Sequence, residues 1–340
     1  MTIWRNLLLG ALSAAMFFGG IEMVLRLSQS VPTNTVRTPD LETLDSIPGL
    51  FEPGADFVDR ILPELPYRVR INPLGFRGAD FPEEPRPGSI RVLCLGDSYT
   101  FGPYVEDEET FPAELDGLLE SRLGREADVI NGGANGFTIA DEILFLASKA
   151  SALRPRIVIL AFTQNDVTDL ARPRTQYELM REHAELKSAM VLGPIIEVLQ
   201  HTAIFNGMQR LAARIRGGGP SAQPDEGELE RLWRRYASLL EEAASLARSE
   251  GFDLVVMAWP SAPQILEGEA IVFNGRLGEE CSRLGLPFLD LAPVMTALRE
   301  EGPSPYLLPH DSHPSAAAYR AAAESIAPLI TRMVSGAEGS

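Results

Sequence analysis

From residue 90 onward, short apolar runs alternate with stretches in which apolar positions recur every three or four residues. The runs fall at 90–95, 127–130, 157–162, 254–258 and 286–289, and they lack the strict polar alternation of a half-exposed strand. Such runs fit strands covered on both faces. Helix-period patterns occupy about 110–123, 139–152, 226–250, 270–284 and 315–333, clearest where Glu228-Leu229-Glu230-Arg231-Leu232 continues into an amphipathic stretch. The alternation predicts an α/β fold built as a three-layer sandwich, with a five-stranded parallel sheet between helices on both faces. No internal repeat interrupts it.

The chain before residue 90 reads differently. Residues 27–87 are rich in Pro, Asp and Arg without periodicity, which predicts a linker at about 29–87 and an irregular lead-in draped over a domain at about 88–335. At the N-terminus, Arg5 precedes the uncharged run 6–21, and the apolar stretch from Leu7 to Leu25 approaches the roughly 20 residues of a membrane-spanning helix. Small residues Ser13, Ala14 and Ala15 come too early for an ordinary signal cleavage site. An uncleaved anchor over about 1–28 is expected, with the cationic tail inside and the remainder extracytoplasmic. A cleaved, secreted form and a buried soluble helix are the alternatives. Between the third and fourth runs, an insertion at 167–225 exceeds a plain crossover and carries an apolar segment at 190–211. Lid, substrate wall, surface-packed helical hairpin and a contact with the membrane surface are the readings open for it.

Composition removes several classes. The formal net charge of −17 argues against a nucleic-acid partner, because phosphate binding draws on clustered Lys and Arg. Cys94, in a predicted strand, and Cys281, in a predicted helix, give neither a disulfide framework nor metal-ligand spacing, and both read as small buried apolar residues. The oligomeric state is not legible.

Candidate chemistry sits where the runs end. The first run breaks at Gly96-Asp97-Ser98-Tyr99, a turn that lifts the Ser98 hydroxyl out of the sheet edge. The second runs into Asn131-Gly132-Gly133-Ala134-Asn135-Gly136, whose glycines leave backbone N–H groups open to an anionic oxygen. The third ends in Thr163-Gln164-Asn165-Asp166, which offers a side-chain amide. Pro309-His310-Asp311-Ser312-His313-Pro314, just before the last helix, adds an imidazole and a carboxylate. Acyl transfer needs a hydroxyl, a base that takes its proton, a carboxylate that orients the base, and donors aimed at the developing oxyanion.

These four segments, in this order, resemble the sequence blocks of the SGNH (GDSL-type) hydrolase superfamily over about residues 91–330. The resemblance implies a flavodoxin-like sheet and a serine esterase or acyl hydrolase that needs no metal or organic cofactor. It implies Ser98 as nucleophile, His313 as base and Asp311 as its partner, with an oxyanion hole from the N–H of Ser98, the N–H of Gly136 and the amide of Asn165. Two positions depart from the pattern: Thr163 replaces a usual glycine, and the carboxylate precedes His313 by two residues rather than three. Asn72-Pro73-Leu74-Gly75-Phe76-Arg77 and the N-terminal anchor resemble a membrane-anchored bacterial branch and carry no assignable chemistry. An ester of a glycan or lipid is the expected partner, with the membrane reached through the N-terminal helix. An O-acyltransferase acting on an envelope polysaccharide and a catalytically silent binding module are the competing readings. Asp97 and Asp166 read as turn and cap carboxylates, and His183, His201 and His310 as surface or packing residues.

Overall fold

The computed structural model describes residues 37–60, 62, 64–189 and 224–338, together with 9, 13, 16–24, 202, 204 and 207. A short helix α1 (Leu41–Ser46) opens the lead-in, capped by Asp40, whose side chain accepts from the Thr43 N–H. An antiparallel hairpin of β1 (Asp56–Asp59) and β2 (Tyr67–Arg70) follows. Next come β3 (Ile90–Gly96), α2 (Ser98–Phe101), a 3-10 turn at Asp107–Glu109, α3 (Phe111–Leu123), β4 (Ala127–Gly133), α4 (Ile139–Leu153), β5 (Ile157–Phe162), α5 (Gln164–Asp169) and α6 (Gln176–Ser188). The C-terminal part contains α7 (Glu226–Glu250), β6 (Asp253–Ala258), α8 (Ala262–Leu266), α9 (Val272–Leu284), β7 (Phe288–Asp290), α10 (Ala292–Glu301) and α11 (Ala316–Glu338).

The five strands β4-β3-β5-β6-β7 form one parallel sheet in that order. Because successive side chains leave a strand on opposite faces, each run feeds two cores. Leu93, Leu95, Val158, Leu160, Leu254 and Val256 pack on one face with residues of α4, α7 and α9. Val92, Cys94, Ile157, Ile159, Val255 and Met257 pack on the other with residues of α3, α10 and α11. The predicted three-layer arrangement is present. Chain order reverses at β3, which pairs with β4 on one side and β5 on the other, and that reversal opens a crevice at the carboxyl ends of these strands. The crevice is tight at the end of β4, where a Cβ on Gly133 would lie 2.3 Å from the Phe101 nitrogen of α2.

The lead-in is more than drapery. Leu44, Leu50, Phe51, Tyr67, Val69, Ile71 and Phe76 are buried in the same core as β3 and α4, and Lys149 Nζ donates to the Leu44 and Ile47 carbonyls at the end of α1. The aperiodic polar text of 27–87 hides these contacts because they come from isolated apolar residues between turns. In the insertion, α6 packs against α1 and α4, with Arg181 paired to Asp45 at 2.8 Å, so its first part is a surface-packed helix. Of the expected apolar segment 190–211, only 202, 204 and 207 fall among the described residues, and His201 lies outside them. Among the described residues no helix is long and apolar enough to cross a membrane. The expected transmembrane helix is therefore not found there; of its span, only 9, 13 and 16–24 are described, in helical conformation.

Candidate active site

β3 ends at Gly96, and Asp97 caps α2 by accepting the Tyr99 N–H at 2.8 Å. Ser98 is thus the first residue of a helix, with its hydroxyl at the mouth of the crevice. His313 arrives from the loop before α11 and places Nε2 2.8 Å from Ser98 Oγ. Its other ring nitrogen, Nδ1, contacts Asp311 Oδ1, the oxygen that also accepts the His313 backbone N–H at 2.9 Å. The tautomer with its proton on Nδ1 satisfies both ring contacts, since Nε2 can then accept from the hydroxyl. The loop is pinned by Leu307 N–H donating to His313 O at 3.0 Å and by Tyr99 Oη donating to Ser312 O at 3.0 Å. Two rings flank the imidazole, Tyr99 at 5.5 Å and Tyr104 at 5.7 Å between centroids.

Asn165 reaches the same place from the end of β5. Thr163 caps α5, its N–H donating to Asp166 Oδ2 at 2.9 Å. Its hydroxyl and the Asn165 amide both donate to Asp97 Oδ2 at 3.0 Å. Asp97 therefore joins the amide-bearing loop to the turn that carries Ser98. Gly136 lies on the loop after β4 with φ +76, a left-handed conformation that favours glycine, and its carbonyl accepts from Arg172 Nη1 at 2.9 Å. That loop is tied to the end of β3 by Ala134 N–H donating to Gly96 O at 3.1 Å. Ser98, His313 and Asp311 form one hydrogen-bonded line, and Asn165 connects through Asp97. No hydrogen bond links Gly136 to Ser98 or Asn165 among the described residues.

Three carboxyl groups, Asp97, Asp166 and Glu142, are buried near these loops. Burial pushes the Asp97 carboxyl upward against the hydrogen bonds from Asn165, Tyr99 N–H and Thr163. Burial likewise drives Asp166 and Glu142 well above the carboxylate range, and the nearby negative charges of Asp97 and Asp141 add to the effect. His310 is exposed, and His183 sits half-buried in α6, as surface or packing residues do. Cys94 and Cys281 are buried free thiols. Beside Asn165 lies a cavity of about 460 Å³ whose walls include Tyr99, Thr163, Leu229, Trp259 and Phe273. The sequence reading gave no role to Tyr99 or Tyr104. Tyr99 stands inside the nucleophile motif, which was a usable signal; Tyr104 takes φ +65, and no local pattern announces a left-handed tyrosine.

Residues 94–321 match the GDSL-like lipase/acylhydrolase family profile. No curated protein matches the chain. Among solved structures, a member of the lipolytic protein G-D-S-L family from Veillonella parvula is 15% identical with a TM-score of 0.45, covering 72% of this chain and 99% of that one. A catalytic mutant of an acetylxylan esterase from Geobacillus stearothermophilus is 16% identical with a TM-score of 0.41, covering 71% of this chain and 93% of that one. A two-domain esterase active on acetylated mannans is 12% identical with a TM-score of 0.45, covering 72% of this chain and 50% of that one.

Proposed function

The chain belongs to the GDSL-like lipase/acylhydrolase family and is an ester-hydrolysing enzyme, and we propose that it works through an acyl-serine intermediate formed on Ser98. The contact that carries this reading is the 2.8 Å approach of His313 Nε2 to Ser98 Oγ. His313 takes the hydroxyl proton as Oγ bonds to the acyl carbon, then gives it to the departing alcohol as the ester C–O bond breaks. Asp311, against Nδ1, keeps the ring in the accepting tautomer and stabilises the imidazolium. Water repeats the sequence, with His313 again as base, and releases the acid.

The tetrahedral oxyanion is held by the N–H groups of Ser98 and Gly136 and by the Asn165 amide. The N–H of the first helical residue has no partner within its helix. Asn165 has two amide hydrogens, so one can stay on Asp97 while the other turns to the acyl oxygen. The cavity beside Asn165 receives the ester, and its mixed aromatic and polar wall fits a small acyl group or a sugar-borne acetyl.

The N-terminal anchor, the extracytoplasmic placement and the bacterial branch belong to the same proposal, supported by the apolar run from Leu7 to Leu25. Carbonate-resistant membrane association of the full chain is the expected result, and recovery in the soluble fraction would reject the anchor. For the chemistry, the full chain and Ser98→Ala are compared on aryl esters of rising chain length and on acetylated sugars. Turnover should fall by about 10⁴-fold or more in the variant. A fluorophosphonate probe should label the wild type alone, and comparable turnover by Ser98→Ala would reject the assignment.

A further inference from the structure

The segment Asn72-Pro73-Leu74-Gly75-Phe76-Arg77 has no part in the chemistry described so far, yet it ends in a fully buried cation at the rim of the crevice. Asn72 folds it into a tight loop, accepting the N–H groups of Leu74 and Phe76 at 3.0 and 3.1 Å and donating to Ala79 O. The loop delivers Arg77 between the rings of Tyr67 and Phe101, at 5.3 and 5.0 Å from their centroids. All five guanidinium hydrogens are used. Nε donates to Asp107 Oδ1 at 2.7 Å, Nη1 to the carbonyls of Phe101 (3.0 Å) and Gly102, and Nη2 to those of Val105 (2.7 Å) and Arg68 (3.2 Å).

Three of those carbonyls belong to the end of α2 and the loop after it, which is the segment that starts at Ser98. A helix of one turn leaves its last carbonyls without intrahelical partners, and Arg77 supplies them. The same loop contains Tyr104, a left-handed non-glycine residue at φ +65. That conformation persists only where its surroundings over-determine it. Its ring lies 5.5 Å from Tyr67 and 5.7 Å from His313. Arg77 thus fixes both ends of a short path, with the nucleophile helix at one end and a ring against the base at the other.

We infer that Arg77 is a positioning residue for hydrolysis, acting through the 101–105 loop and the Tyr104 ring to keep His313 Nε2 in line with Ser98 Oγ. The inference rests on Ser98 and His313 being nucleophile and base. It makes the lead-in part of the working enzyme, because Arg77 and Tyr67 both come from it. Neither Arg77 nor Tyr104 lines the cavity beside Asn165, so their loss should act on turnover and spare substrate binding.

The test uses the full chain with Arg77→Lys, Tyr104→Gly and Tyr104→Phe, with Ser98→Ala alongside. Lys keeps the charge near Asp107 but cannot bridge three backbone carbonyls. Gly at 104 removes the ring while suiting the left-handed backbone, so the protein should still fold with a melting temperature within about 3 °C of wild type. On an aryl acetate, Arg77→Lys and Tyr104→Gly should each lower kcat by about 10- to 100-fold with KM within about twofold, the cost of a reacting pair held out of line. Tyr104→Phe, which keeps the ring, should restore kcat to within about threefold. If Arg77→Lys does not fold, Tyr104→Gly decides alone. Wild-type kcat in Tyr104→Gly, or a rise in KM in place of a fall in kcat, overturns the inference. Should Ser98→Ala remain active, the serine mechanism itself fails, and the two failures are told apart by that one variant.

Discussion

The two ends of β3 are each closed by a buried arginine, and the pair shows what placement adds to an otherwise similar device. At the start of the strand, Arg91 is 1% exposed and pairs with Asp128 at 3.0 Å. It also donates to the carbonyls of Pro82, Glu83 and Leu153, joining the lead-in, the end of α4 and the edge strand β4. Beyond the other end, Arg77 does the same with Asp107 and four carbonyls. Both stitch the lead-in to the sheet. Only Arg77 ties backbone that carries Ser98, the proposed nucleophile, so the carboxyl end should govern rate and the amino end stability alone.

The largest expected effect belongs to the carboxyl end, at the proposed oxyanion donor Asn165. Asn165→Ala should lower kcat by about 10²- to 10³-fold, the usual cost of one such donor. It also strips a hydrogen bond from the buried Asp97 carboxyl, so some stability should go with it. Single-turnover acylation with an aryl ester separates the two, and a wild-type acylation rate in the folded variant removes Asn165 from the oxyanion hole.

Arg91→Met sharpens the contrast from the opposite end. Breaking a buried ion pair costs about 3 kcal/mol, less whatever Arg86, 3.8 Å from Asp128, can recover. Chemical denaturation should show that loss, while kcat of the folded enzyme stays within about twofold of wild type. A kcat that falls in step with stability would mean that the amino end is coupled to the site, and the contrast would fail.

How well the sequence announced all this follows the same division. The five strands and five of the six helices of 13 or more residues were legible, because mostly apolar runs and 3.6-residue periods are the direct imprint of burial on two faces and on one. Ser98 and Asn165 stand where turn chemistry marks the ends of two of those runs and His313 in the loop before the last helix, and the structure brings Ser98 and His313 together directly and Asn165 to them through Asp97. The lead-in was not, since Leu44, Phe51, Tyr67 and Phe76 reach the core from turns without a period. Arg77 carried no assignable chemistry in the sequence, because the five acceptors around it come from positions up to 30 residues away. Asp97 was read as a turn carboxylate, which it is, but its second oxygen bridges two strand ends through Thr163 and Asn165, a pairing that only the parallel sheet creates.

A gentler test concerns Asp116, on α3 beside the edge strand β4. Its carboxylate accepts the Val129 N–H at 2.8 Å, yet burial outweighs that bond and, with Glu120 and Asp128 adding negative charge, lifts its pKa from the ordinary 3.8 to about 6. Between those values the folded protein keeps a proton that the unfolded chain has released. The group's contribution to stability is therefore complete below about pH 4 and is lost as pH rises through 6. Partial solvent contact reduces the full linkage to about 1 kcal/mol, or roughly 2–4 °C in melting temperature. Asp116→Asn keeps an oxygen for the Val129 N–H and cannot titrate. The variant should match wild type near pH 4 and exceed it at pH 7, with kcat unchanged at both. Parallel melting curves across that range would show that the site behind β4 is wet, and a change in kcat would show that the amino-end region reaches the chemistry after all.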